Sequence, residues 1–296
     1  MACEHSESGW MDRATRRMVL VGGAVAGATL ALGAKPGVRA AEADVFPPLP
    51  SDLTAFGDQP DIAATDLVID QLGTAQPKAH EIETARRIMQ GAPYGTRKPI
   101  DVARYFCSVG QGKLNATFGE DVRAYVAGWP VRYNPVIINF FKATSTQPLS
   151  IYGDGTSWCA AFVNWCIARS LMPSGDIAVD VNGIMRPLPA ALLKGTNSAS
   201  SGSFRCWSKA AADAGGPRVG DVLVWAQDGT LDGCKPGPGH VGFYIGRTPG
   251  GSYLSLGGNK RDPRTNHHAV VEKPIRTQFT NSEGTNTLYS IRSVYL

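Results

Sequence analysis

Apolar positions follow a helical period in the first half of the chain and a strand period in the second. In Lys78 to Gln90, Ile82, Ala85, Ile88 and Met89 recur at helical spacing, and Gly91-Ala-Pro93 ends the run. Asp101 is placed to cap a short helix running through Phe106. Asn134-Pro135 predicts a third helix over Val136 to Phe141, since Asn accepts from unpaired amides and Pro in the first turn gives up no needed hydrogen bond. From Trp158 to Leu171, the residues Trp158, Ala161, Phe162, Trp165 and Ala168 share one helical face. After Ser201 come short β-type runs divided by Gly and Pro: 220–225, 241–246, 252–256, 269–271 and 288–294. Thr196 to Ser203, rich in Ser, Asn and Gly, predicts a mobile loop. Helices first and antiparallel strands afterwards is the order of an α+β fold.

Composition adds a core and a leader to this picture. At 296 residues and 43% hydrophobic, the chain is long enough to bury one sizeable core. Arg13, Arg16 and Arg17 precede the uncharged run Met18 to Ala34, and Val38-Arg39-Ala40 follows it, which is the layout of an export signal over residues 1–40. Thr15-Arg-Arg-Met-Val-Leu20 resembles a twin-arginine signal in part, with Val19 and Val21 standing where Phe and Lys are usual. A Sec signal or an uncleaved anchor fits the same residues, although the run falls short of the roughly 20 apolar residues a spanning helix needs. The expected location is therefore periplasmic or secreted, in a bacterium, with no stable membrane insertion once the signal is cleaved. Residues 41–60 read as a Pro-rich linker, 61–148 as a helical region and 149–296 as an α+β domain, with structure beginning near Asp61. The formal charge of +4 shrinks once the signal is gone, to 24 basic against 22 acidic groups, and implies no nucleic-acid partner.

Candidate chemistry starts with the cysteines. Cys3 leaves with the signal, and the remaining five form an odd set, which predicts one free thiol beside up to two disulfides. Gly153, Asp154 and Gly155 break the chain before the helix of Cys159, so this cysteine stands in a first turn, where orphan amides and the helix dipole favour a thiolate and lower its pKa. Cys166 lies about 10.5 Å further along the axis, beyond the roughly 7 Å that a disulfide tolerates, and is core or the partner of a distant cysteine. Cys206 and Cys234 flank the first strand and are placed for a disulfide; a zinc site using both with His240 is the competing reading, and without a close ligand pair no cofactor is expected. Among the histidines, His80 belongs to a helix and His267 and His268 to a polar loop, while His240 opens a strand in Pro238-Gly-His-Val-Gly242. Asn259, at the end of the next strand, is placed to accept from the far ring nitrogen of His240 and hold its tautomer.

Four stretches in this order carry a resemblance: Trp158-Cys-Ala-Ala-Phe-Val-Asn-Trp165, Val219-Gly-Asp-Val-Leu-Val-Trp225, Gly239-His-Val-Gly-Phe-Tyr244 and Leu256-Gly-Gly-Asn259. Together they resemble CHAP-type cysteine amidohydrolases of the NlpC/P60 papain-like superfamily, over about residues 153 to 260. The resemblance implies a papain-like α+β fold, a nucleophilic cysteine at a helix start packed on an antiparallel sheet, and cleavage of amide bonds in peptidoglycan peptides. It carries the nucleophile onto Cys159, the base onto His240 and an orienting role onto Asn259. Where many members have Glu-x-Asn, this chain has Gly257-Gly258-Asn259, so the orienting role rests on Asn259. The implied partner is peptidoglycan or a peptide. A binding module on the same fold, which holds such a peptide without cutting it, is the alternative, and the same chemistry would serve an effector aimed at the walls of other cells.

Overall fold

The computed structural model describes residues 75–129, 132–146, 156–181, 186–230, 233–265, 267–281 and 284–295. The expected signal, the linker, a start near Asp61 and the chain break at 153–155 lie outside these. The helices are α1 (Ala79–Gly91), α2 (Pro99–Gly110), α3 (Asn115–Phe118), α4 (Pro135–Phe140) and α5 (Cys159–Leu171), and the strands are β1 (Val222–Gln227), β2 (Gly239–Arg247), β3 (Tyr253–Arg261), β4 (His268–Ile275), β5 (Gln278–Asn281) and β6 (Gly284–Arg292). An α+β fold results. Among the described residues no helix is long and apolar enough to cross a membrane.

Local sequence accounts for most of these boundaries. Asn134 caps α4 as its position predicts, its side chain accepting from the Val136 amide at 2.8 Å, with Pro135 in the first turn. Asp101 does not cap α2. That helix starts earlier, at Pro99, whose fixed φ and missing N–H suit a first position, and it runs past Phe106 to Gly110. Asp101 instead sits inside the first turn, where its charge favours the dipole.

The strands form a single antiparallel sheet in the order β4-β3-β2-β1-β6-β5. Four strands meander, and the β5–β6 hairpin then returns to the free edge of β1. Period-2 alternation divides the sheet's side chains into two sets. Val222, Val224, Val241, Phe243, Leu256 and Val270 join the main core with the helices, while Leu223, Trp225, Tyr253 and Ile275 gather with Phe279 and Leu288 in a second cluster. β1 is buried on both faces, hence its unbroken Val-Leu-Val-Trp-Ala run.

The main core extends from Ala85 on α1 to Val270 on β4, so the helical residues before 148 and the sheet share one apolar interior. α5 lies at its centre, packed against α2 and α4 on one side and β2 and β3 on the other. The sequence shows one apolar face on α5, yet Cys159 through Ser170 are all buried. Three polar residues, Asn164, Arg169 and Ser170, are admitted because their hydrogen bonds are met, that of Ser170 by the Ile167 carbonyl. Arg169 donates to the carbonyl oxygens of Gln90, Ala92 and Gly175, closing the end of α1 with a cation. Asn164 donates to the Ser198 carbonyl at 2.9 Å and accepts from the Thr196 amide at 2.7 Å. The segment 196–203 is therefore pinned to α5 instead of forming the mobile loop its composition predicts, and 201–204 turn into a short helical segment.

Cys206 and Cys234 form a disulfide, with Cα atoms 5.4 Å apart, and that bond consumes two of the three ligands of the competing zinc reading. Among the described residues Cys159 and Cys166 are both free and buried, two free thiols where the odd count predicts one. Cys166 is core, wholly shielded from solvent inside α5, and burial pushes its thiol well above the ordinary range.

α5 reaches β3 through a glycine. A Cβ built on Gly258 would stand 2.3 Å from Cζ3 and 2.7 Å from Cε3 of the Trp158 indole, and 2.9 Å from Cβ of Phe162, none of which can swing away. Gly258→Ala is expected to lower stability by about 1 to 3 kcal/mol through overpacking. Urea unfolding checks this; an unchanged midpoint and slope would show that α5 can back away from the sheet at no cost.

Candidate functional site

Cys159 is the first residue of α5, after the N-cap Trp158. Its sulfur receives hydrogen bonds from the Ser157 hydroxyl and the Val241 amide, with the amides of Cys159 and Ala160 adding to them. All of these favour a thiolate, as the helix start predicts. Burial outweighs them. The residue is 1% exposed, and loss of solvent raises its pKa above the ordinary 9.0, against the sequence expectation of a lowered one.

His240 sits in β2 opposite Trp225 of β1, and their rings lie 6.1 Å apart. The chain can run this way only because residue 239 is glycine: its φ is +152°, and a Cβ there would fall 2.0 Å from the Trp225 carbonyl oxygen. Nε2 of His240 is buried and has no hydrogen-bond partner among the described residues. Burial, reinforced by the charges of Lys260 and Lys273 and by His268, pushes this imidazole well below its usual range, so it is neutral at physiological pH. At rest the site therefore holds a neutral thiol and a neutral imidazole, not an ion pair.

Asn259 is in the site but in a different role from the expected one. β3 carries a register shift between Gly257 and Lys260, and Asn259 within it takes a left-handed φ of +54°. The bulge turns its side chain toward the start of β4, where Oδ1 lies 2.9 Å from Nδ1 of His268. The amide Nδ2 donates to the Ser157 hydroxyl at 3.1 Å. Asn259 thus fixes the tautomer of His268 with Nδ1 protonated, and through Ser157 it supports the Cys159 sulfur.

His268 is the main residue the sequence reading misplaced. It is not in a loop; it is the first residue of β4 and is buried. The signal was adjacent, since the apolar run Ala269-Val-Val271 begins one residue after it, and a strand extended by one position would have included it. Lys260 and Ser157 were also missed. Lys260 follows the predicted strand end, and a lysine there reads as solvated. Its ammonium is in fact buried and donates to the carbonyl and the hydroxyl of Ser255, both at 2.7 Å. His80 remains exposed on α1, as a helix residue outside this group.

Ser157, Cys159, His240, Asn259, Lys260 and His268 line one cleft of about 380 Å³. Such a cleft can attack an electrophilic carbon with sulfur, take the thiol proton on an imidazole and donate backbone N–H groups to a developing oxyanion. Among the described residues no group of His, Cys, Asp and Glu is arranged to hold a metal ion. Comparison with known protein families, with curated proteins and with solved structures finds no match.

Because burial holds the Cys159 thiol protonated, its alkylation by iodoacetamide is expected to keep rising as pH climbs past 9.0. Mass spectrometry of the peptide containing Cys159 follows the rate. A plateau reached below about pH 7.5, in the range of activated thiolates, would contradict the neutral resting site.

Proposed function

We propose that the cleft is the active site of a thiol amidohydrolase with a papain-like arrangement, acting on peptide amides and, in an exported protein, on the peptides of peptidoglycan. The observation that carries this reading is the free thiol at the start of α5, hydrogen-bonded by Ser157 and Val241, in one cleft with the unpartnered Nε2 of His240.

The neutral resting pair sets the order of events. As the Cys159 sulfur bonds to the substrate carbonyl carbon, its proton passes to His240, so that no buried thiolate has to exist beforehand. The carbonyl oxygen becomes an oxyanion held by N–H groups at the start of α5. Collapse of this adduct breaks the C–N bond, and His240 returns the proton to the leaving amine. Water, deprotonated by His240, then attacks the thioester and releases a carboxylic acid and the free thiol. His268 is a positioning residue beside His240, itself oriented by Asn259.

The 1% exposure of Cys159 favours a second reading, a cleft that binds a wall peptide without cutting it. One assay separates the two. Incubated with purified peptidoglycan, the protein is expected to release new amine and carboxyl ends, and mass spectrometry of the fragments locates the bond. Cys159→Ala should lose this activity by on the order of a thousand-fold, and His240→Ala by about 10² to 10⁴-fold. Asn259→Ala should cost less, since it removes the acceptor that orients His268 and leaves the thiol and His240 in place. Fragments released equally by wild type and Cys159→Ala would sink the hydrolase reading, and retained wall binding without fragments would favour the binding module.

A further inference from the structure

Beyond His240 the sheet bends round on itself. β4 and β5 are its opposite edges, yet only Arg276 and Thr277 separate the end of one from the start of the other. In a flat sheet of six strands those edges would lie about 24 Å apart, whereas three chain steps reach about 11 Å at most. The sheet is therefore curled. Ile275, Tyr253, Tyr244, Trp225, Leu288 and Phe279, one from each strand, share the apolar interior of the curl. The cleft that holds Cys159 and His240 runs on to Ile275, Phe279 and Asn286, at the mouth of the curl. The mouth of a closed or curled sheet is a favoured place for a ligand.

Asn286 on β6 gives this mouth a polar group. It stands opposite Phe279 in the β5–β6 ladder, is only 4% exposed and borders the cleft. Among the described residues its side-chain amide has no hydrogen-bond partner. Shielding an amide from water without a partner opposes folding, so the residue works against stability until a ligand satisfies it. A carboxamide offers an acceptor oxygen and two N–H donors, the complement of a peptide group. The apolar wall beside it is fixed. The Phe279 ring meets Trp225 edge-on at 6.3 Å, and the Trp225 indole donates to the Arg276 carbonyl at 3.1 Å. Trp225 is also the neighbour of His240, with ring centres 6.1 Å apart. Two ring spacings thus separate the imidazole from Phe279, a span that an extended peptide covers within about four residues at about 3.4 Å each.

We infer that the mouth of the curl is a substrate subsite, in which the Asn286 carboxamide holds a peptide group and Ile275 and Phe279 receive the aliphatic side chain beside it. The inference rests on the thiol-hydrolase reading for what happens to the peptide, while the binding itself stands without it. The residue held there lies within about four positions of the scissile amide. Peptides with an aliphatic residue at that position are preferred over those with glycine or a charged residue, because only the former bury apolar surface against Phe279 and Ile275.

Binding is tested without turnover. The protein is titrated with N-acetyl-leucine N-methylamide, which carries one aliphatic side chain between two peptide groups, and with its glycine and aspartate analogues. The indole N–H resonance of Trp225 reports occupancy. The leucine compound is expected to bind about tenfold more tightly than the glycine one. Asn286→Leu, a change of nearly equal size, should weaken it by about fivefold through the lost hydrogen bonds, with a thermal midpoint equal to that of the wild type or higher. Phe279→Ala should erase the preference for leucine over glycine. The ligand series on the wild type keeps the test open if Phe279→Ala does not fold. Equal binding of the three compounds, or undiminished binding by Asn286→Leu, overturns the inference.

A turnover arm separates this inference from the hydrolase reading, using peptide pairs that differ only by leucine or glycine within four residues of the cleaved amide. Asn286→Leu should raise KM for the leucine peptide by about fivefold with kcat little changed, because the contact is made in the ground state and the transition state alike. Equal cleavage of both peptides overturns the subsite and leaves the hydrolase standing. Cleavage of neither, with the leucine preference in binding intact, overturns the hydrolase and leaves the subsite as part of a binding module.

Discussion

The close approach of the start of α5 to the bulge of β3 is the constraint on which the rest of the site depends. Trp158 lies where a Cβ on residue 258 would have to be, so glycine is required there, and that contact sets the height at which Cys159 meets the sheet. At this height the sulfur reaches the Val241 amide, and Ser157 reaches the Asn259 side chain. The bulge supplies the second half of the arrangement. An extended residue at 259 would send its side chain to one face of the sheet, whereas the left-handed turn delivers Asn259 to the head of β4 and to His268. One tight contact and one kink thus hold together groups from α5, β2, β3 and β4.

Burial then decides the electrostatics. The helix start, Ser157 and Val241 all favour an anionic sulfur, but a residue with 1% exposure loses more from desolvation than these donors return. His240 moves the opposite way for the same reason, assisted by neighbouring cations. Both shifts suppress charge. A site poised in this way avoids an ion pair in a low-dielectric cavity and creates charge only as substrate bonds are made. It also explains how four cationic side chains can border a thiol without ionising it.

Much of the architecture was legible in the residues because it is written in local patterns. The start of α4 follows from Asn134-Pro135, and the two-sided burial of β1 from an apolar run with no alternation. What failed was read over too short a window or depended on distant partners. β5, with Gln-Phe-Thr-Asn, is a polar edge strand that alternation does not reveal. The loop at 196–203 is ordered by Asn164, which is 32 residues away in sequence from Thr196. Cys159 and His240 stand at or next to their element starts, as the residues predict, and both line the cleft. The partner of Asn259 was assigned wrongly because a bulge reverses side-chain direction, and no composition or period signals that reversal.

Lys260 and the glycine at 257 are two sides of one arrangement. Gly257 stands where the resembled pattern carries Glu, and a Cβ at this position would meet Cε of Lys260 at 3.0 Å, Cα of Gly242 at 3.2 Å and the Val241 carbonyl oxygen at 3.3 Å. The last two are backbone atoms of β2 and cannot yield without moving His240. A glutamate would therefore crowd the strand that carries the imidazole, and it would place a carboxylate beside the buried ammonium, closing the ion pair from within. Glycine leaves the space to the aliphatic stem of the lysine, whose ammonium burial pushes well below the ordinary lysine range. In this chain the missing Glu is coupled to a buried lysine that lines the cleft, so the departure from the pattern changes the packing at this corner of the site without removing the thiol, the imidazoles or their supports.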